Sequence, residues 1–145
     1  MLNRALPVVD LHRHLDGNIR PATIWELAQQ HNIALPVPDK KSIASLVQIQ
    51  DKTSDLMAFI AKLEYGVSVL ADYNACYRVA FENVVDAAAE GLHYAELRFS
   101  PHFMARNFSL SEAGVTEAVI AGVNDALKDF PHLHIQLIGI LSRTF

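Results

Sequence analysis

The stretch PVVDLHRHLDGNI, residues 7–19, decides how the rest of the chain is read. It opens with β-branched residues behind a proline and ends at the turn signal Asp16-Gly17, the pattern of a strand over Pro7–Leu15. Alternate side chains of a strand share a face, so His12 and His14 point the same way with β-carbons about 6 to 7 Å apart. Two imidazoles placed so can meet one cation. Zinc takes neutral imidazole nitrogens, and a catalytic zinc adds further protein ligands while keeping one position for water. From His-x-His alone, a metal site and a coincidence of surface or core both stay open. Asp16 lies just beyond, on the loop, where it could ligate metal, orient a histidine or accept hydrogen bonds from a polar substrate.

Working outward, Pro21 suits a first helical turn, and Ile24, Leu27 and Ala28 follow at helical spacing until Asn32 closes the segment. Pro36 and Pro38 mark a surface connection. From Thr53 to Leu70 the residues Leu56, Phe59, Ile60, Leu63 and Val67 make one apolar helical face. A longer helix is predicted from about Asp72 to Glu90, with Gly91 as its left-handed cap. LHYAELRFSP (residues 92–101) alternates as a strand and stops at Pro101. Ser109 and Glu112 form a capping box for a helix running to about Lys128, with a buried stripe of Val115, Ala118, Val119, Gly122 and Val123. HIQLIGIL (residues 134–141) reads as a parallel strand buried on both faces.

Strand, helices, strand, helix, strand specifies an α/β fold with right-handed parallel crossovers. Three strands cannot close a barrel, and a (β/α)8 TIM barrel needs about 250 residues. The expected architecture is therefore the N-terminal portion of such a barrel, with about three of its eight parallel strands. Residues 1–145 would be an incomplete part of one barrel domain. The open sheet edges could pair with another copy, giving self-association.

Composition narrows the function. With 51% hydrophobic residues, 19% charged residues and a formal charge of -4, the chain has no broad basic surface, which disfavours nucleic acid and anionic membranes as partners. Neither a signal peptide nor a membrane span is expected, and the lone Cys76, read as a buried small residue, suits the cytoplasm. No phosphate-cradling Gly-rich loop and no Gly-x-Ser-x-Gly elbow occurs. Arg98, Ser100 and Arg143 end strands and read as structural. His31, His93, His102, His132 and His134 lack ligand-like spacing at a strand end.

DLHRHLDGNIRP (residues 10–21) resembles the N-terminal signature of the adenosine deaminase family, in the metal-dependent amidohydrolase superfamily. LHYAELRFSPHFMA (92–105) resembles that family's second barrel strand and LIGILSRTF (137–145) its third, so the resemblance spans essentially the whole chain. It implies zinc as cofactor, His12 and His14 as two of its ligands, Asp16 as the partner of the ribose 5′-hydroxyl, and His14 also against the nucleoside. It further implies that Leu56, Phe59 and Leu63 line or lid a hydrophobic substrate entrance, for which plain core packing is the alternative. Asp16 points to a nucleoside rather than a free base, since the related adenine deaminases carry glutamate there. The family's proton-transfer glutamate and its other metal ligands match no position here, so no catalytic residue is assigned and this chain alone should be inactive. An adenine deaminase or another amidohydrolase, and a non-catalytic, self-associating fragment, are the alternatives.

Overall fold

Three parallel strands form one sheet in the order β1-β2-β3: β1 is Val9–His14, β2 Tyr94–Phe99 and β3 His134–Gly139. The computed structural model describes residues 6–50 and 55–141. Between β1 and β2 lie α1 (Pro21–Gln30), α2 (Ile43–Val47), α3 (Leu56–Val67) and α4 (Tyr73–Ala89), with a 3₁₀ turn at Lys40–Ser42 before α2. Between β2 and β3 lie α5 (Pro101–Ala105), a 3₁₀ turn at Arg106–Phe108 and α6 (Glu112–Leu127). Among the described residues no helix is long and apolar enough to cross a membrane.

Local chemistry explains most boundaries. Pro21 opens α1, where its missing N–H costs no hydrogen bond. Asp55 and Asp72 cap α3 and α4 by accepting from the Ala58 and Ala75 amides. Asn32 (φ 54°) and Gly91 (φ 77°) take the left-handed conformation just past α1 and α4. The capping box assigned to Ser109 is a correction. Ser109 itself is left-handed (φ 52°) and ends the 3₁₀ turn, whereas Ser111 caps α6 through the Gly114 amide. The start of the helix expected from Thr53 falls on residues outside those described, and α3 begins at Leu56.

The core lies between the sheet and the helices that cover one of its faces. Ala95, Leu97 and Phe99 of β2 are buried there with Leu27, Val79, Val84, Val115 and Val119. On the opposite face of β2 stand Tyr94, Glu96 and Arg98, only partly covered. The last strand departs from expectation: β3 is an edge strand whose His134, Gln136 and Gly139 are exposed, so only one of its faces is covered. Helices α4 and α6 run against each other, joined by the Tyr77 hydroxyl donating to Asp125 at 2.9 Å. Cys76 is buried in α4, and burial, aided by Asp72, pushes its thiol up to about 12, so it is an inert packing residue.

The ladder between β1 and β2 carries an irregularity that decides where the histidines point. Asp10 pairs with Ala95 and Arg13 with Leu97, so three steps along β1 span two along β2. One extra residue is thus bulged into β1. Asp10 and Arg13 therefore lie on the covered face with Ala95 and Leu97, while Val9 and His14 pair with Tyr94 and Arg98 on the open one. Leu11 and His12, inside the bulge, are both exposed. Arg13 locks this arrangement, donating to Glu90 at the end of α4 at 3.0 and 2.5 Å.

Candidate active site

His12 and His14 meet at the carboxyl end of β1 with ring centroids 5.4 Å apart and planes tilted by 42°. Sites of parallel α/β proteins gather at this end of the strands. Among the described residues no group of three or more His, Cys, Asp or Glu side chains is placed to hold a metal ion, so the two imidazoles are a pair of donors. His14 Nδ1 lies 3.6 Å from Asp16 Oδ1.

Asp16 is buried, and its Oδ2 accepts from the Ser100 amide at 2.9 Å. Ser100 in turn caps α5, its hydroxyl accepting from the Phe103 amide. The carboxylate thereby ties the end of β1 to the end of β2. Burial raises its pKa above the ordinary carboxylate range, against the opposing pull of the Ser100 amide and His14. A carboxyl raised in the native state binds its proton there first, so its contribution to stability is greatest in acid and falls as pH rises through the shifted value. We expect Asp16→Asn to gain in melting temperature relative to the wild type as pH rises through that window, then to level off. Thermal melts of both proteins from acid to neutral pH check this, and a gap that narrows with rising pH would refute it.

A cavity of about 860 Å³ opens beside the histidines. Its floor is His12, His14, Gly17, Asn18 and Ile19, and its far wall is Val47 at the end of α2 and Ile49 beyond it, with Phe59, Ile60 and Leu63 of α3. The wall is mostly apolar, with Gln48 and Lys62 as its polar members, and β1 adds Asp10 and Arg13 to the polar side of the lining. Of the three residues expected at a hydrophobic entrance, Phe59 and Leu63 line the cavity. Leu56 does not: it is 69% exposed near the start of α3. Asp16 sits behind the main cavity, in a pocket of about 20 Å³ shared with Gly17, Leu63 and Gly66. Lys62 holds the wall together, donating to the Ser45 and Leu46 carbonyls at the end of α2.

Asn83 was not anticipated as part of this site. It is buried in α4, and its amide donates to the carbonyls of Leu15 and Asn18 while accepting from the Asn18 side chain. It pins the loop that follows the histidines. The signal was present: an asparagine inside an otherwise apolar helical stripe with Val79, Ala80, Val84 and Ala87. The remaining histidines lie elsewhere. His93 and His132 border a cavity at the opposite end of the sheet, His134 starts β3, His31 lies 3.7 Å from Asp72, and His102 pairs with Glu112. Arg143 lies outside the described residues.

Comparison with known proteins adds identity to this geometry. The family model described as adenosine deaminase matches residues 7–144. An adenosine deaminase from Shewanella loihica is 58% identical over all 145 residues, which span 44% of that relative. The solved structure of an adenine deaminase from Arthrobacter aurescens matches with a TM-score of 0.79 over 92% of this chain and 39% of that one, at 23% identity, a likeness of fold alone. A solved amidohydrolase from Burkholderia ambifaria with bound Zn matches with a TM-score of 0.78 over 94% of this chain and 36% of that one, at 28% identity. The three parallel strands and their helices are the corresponding part of a (β/α)8 deaminase barrel, and the chain belongs to the adenosine deaminase family.

Proposed function

We propose that this chain contributes the first strands of an enzyme that hydrolyses adenosine, and 2′-deoxyadenosine, to inosine and ammonia with zinc as cofactor. The observation that carries this is the pair of imidazoles in the lining of a cavity with a mostly apolar wall, in a chain 58% identical to an adenosine deaminase. Residues 1–145 would form the first part of its single barrel domain, working in purine salvage in the cytoplasm.

The residues fit zinc as part of a donor set: two neutral ring nitrogens from tilted, adjacent imidazoles suit a tetrahedral ion that takes its other ligands from elsewhere. The relative with bound Zn supports that choice of metal. Zinc, when bound, supplies a Lewis acid that makes water nucleophilic near neutral pH. The chain's own residues bind and orient. Asp16, anchored by Ser100, accepts from the ribose 5′-hydroxyl, and His14 packs against the nucleoside between that contact and the metal. Phe59 and Leu63 cover the apolar face of the purine and keep bulk water away; Leu56, at the exposed start of α3, is not assigned this role.

The proton-transfer glutamate has no counterpart here, so the chain by itself should not turn over substrate. Adenine as substrate has weaker support, because the likeness to the adenine deaminase is one of fold while Asp16 suits a nucleoside. Self-association through β1 and β3, the two edges of the described sheet, would appear as a concentration-dependent size without metal.

The test has two arms. With zinc added, the purified chain should leave the absorbance band of adenosine unchanged. Residues 7–144, grafted in place of the matching segment of the Shewanella loihica relative, should restore loss of that band with adenosine but not with adenine. A folded, zinc-loaded chimera that spares adenosine would sink the proposal.

A further inference from the structure

We infer that Arg98 is a positioning residue that sets the aim of His12 and His14 by holding the β1 bulge; the inference rests in part on the zinc reading above. The bulge leaves one carbonyl, that of Leu11, served by a side chain of the neighbouring strand: Arg98 Nη2 donates to it at 2.7 Å. Arg98 is also the register partner of His14, so its backbone lies beside the second imidazole's residue while its guanidinium reaches back to Leu11. His12 follows Leu11 directly, and its own amide donates to Asp10 Oδ1 at 3.1 Å. The peptide unit that leads into the first imidazole is thus held at both its polar groups, the carbonyl by one arginine and the amide by one aspartate.

Arg98 is itself held. Glu96 Oε2 lies 3.6 Å from its guanidinium, and the Tyr94 hydroxyl donates to Glu96 Oε1 at 3.2 Å. Tyr94, Glu96 and Arg98 alternate along the open face of β2, so the row runs up the strand and ends on the bulge. A bulged residue has no ladder partner to fix it. Without the arginine, the Leu11 carbonyl turns to water and the His12–His14 spacing loses its constraint. Residues that orient metal ligands from behind act in this way, and removing one costs roughly 10- to 100-fold in metal affinity.

The test compares wild type, Arg98→Met and Arg98→Lys. The methionine keeps the apolar length and removes every donor; the lysine keeps one donor on a stem of similar length. Three quantities are read: the carbonyl ¹³C signal of Leu11, the imidazole ¹H–¹⁵N signals of His12 and His14 without metal, and zinc affinity by calorimetry. In Arg98→Met we expect the Leu11 and both imidazole signals to move while signals of the α4–α6 core stay in place, and zinc to bind about tenfold more weakly. Arg98→Lys should fall between. Unchanged Leu11 and imidazole signals in Arg98→Met would overturn the inference, as would shifts spread evenly through the core, which mark a merely structural residue. If Arg98→Met does not fold, Arg98→Lys decides by the same signals. In the chimera with the Shewanella loihica relative, imidazoles that ignore zinc refute the zinc reading, while the metal-free signals of the chain still decide the role of Arg98.

Discussion

Gly122→Ala is expected to destabilise the fold by about 3 kcal/mol, the upper part of the range for overpacked cores. The reason is local. A β-carbon at Gly122 would stand 2.3 Å from the Tyr77 carbonyl oxygen and 3.1 Å from the Ala80 β-carbon and the Phe81 amide nitrogen, nearly all of it main chain of α4. Main chain cannot swing aside as a side-chain tip can. Relief requires α6 to move off α4, straining the Tyr77–Asp125 hydrogen bond and opening the packing around Val119 and Val123. In an exposed helix the same change stabilises by about 1 kcal/mol, so the sign of the effect separates close helix contact from simple propensity. Against a total stability of about 5 to 15 kcal/mol the loss is large and should lower the melting temperature by roughly 10 °C. Gly114→Ala is the control: its β-carbon would meet the Tyr73 ring at 2.6 Å, and an aromatic side chain can rotate away at smaller cost. Circular dichroism melts of both variants check the order, and a Gly122→Ala protein as stable as wild type would refute the close contact.

The second large effect falls on binding and spares the fold. His12→Ala and His14→Ala should each reduce zinc affinity by more than the roughly 100-fold that marks the upper end for outer-shell residues, because each removes a donor itself. Both rings are exposed, His14 with 47% of its side chain accessible, so the melting temperature should barely change. His14→Ala has a further consequence. It removes a neighbour that offsets part of the burial-driven rise of the Asp16 carboxyl, so Asp16 should titrate higher in that variant than in His12→Ala. Calorimetric zinc titration with parallel melts reads both, and undiminished binding in either variant would exclude that histidine as a ligand.

How much of this was legible in the sequence depended on whether each residue's neighbour was local. The alternation of Tyr94 to Phe99 was readable because one face of β2 is covered along its length. Gly91 was readable because its conformation is a property of its own backbone. Ser109 and Ser111 both precede an acidic or helical stretch, and only the tertiary turn at Arg106–Phe108 decides between them. The apolar run of β3 reads as a strand covered on both faces, but coverage is supplied by other strands, and in the described structure β3 is an edge. The same limit applied to the site. His12, His14 and Asp16 stood out by spacing, whereas Asn83, Val47 and Ile49 reach the same place from distant segments, with only a polar intruder in an apolar helix to mark the first.

The bulge in β1 gives these histidines a vulnerability of an unusual kind. The side of the sheet that His14 occupies depends on the extra residue absorbed between Asp10 and Arg13: the same residues in an unbroken pleat would set His14 opposite Phe99, on the covered face. Deleting Leu11 would remove the bulge and keep the register beyond it, with Arg13 opposite Leu97 and His14 opposite Arg98, so His14 stays on the open side and His12 joins it opposite Glu96. A scan of substitutions tests the side chains of this segment and not its number of residues, which only a deletion or an insertion reads. Shortening it by one would spare the site, whereas shortening it by two would set His14 opposite Leu97, turned toward the helices.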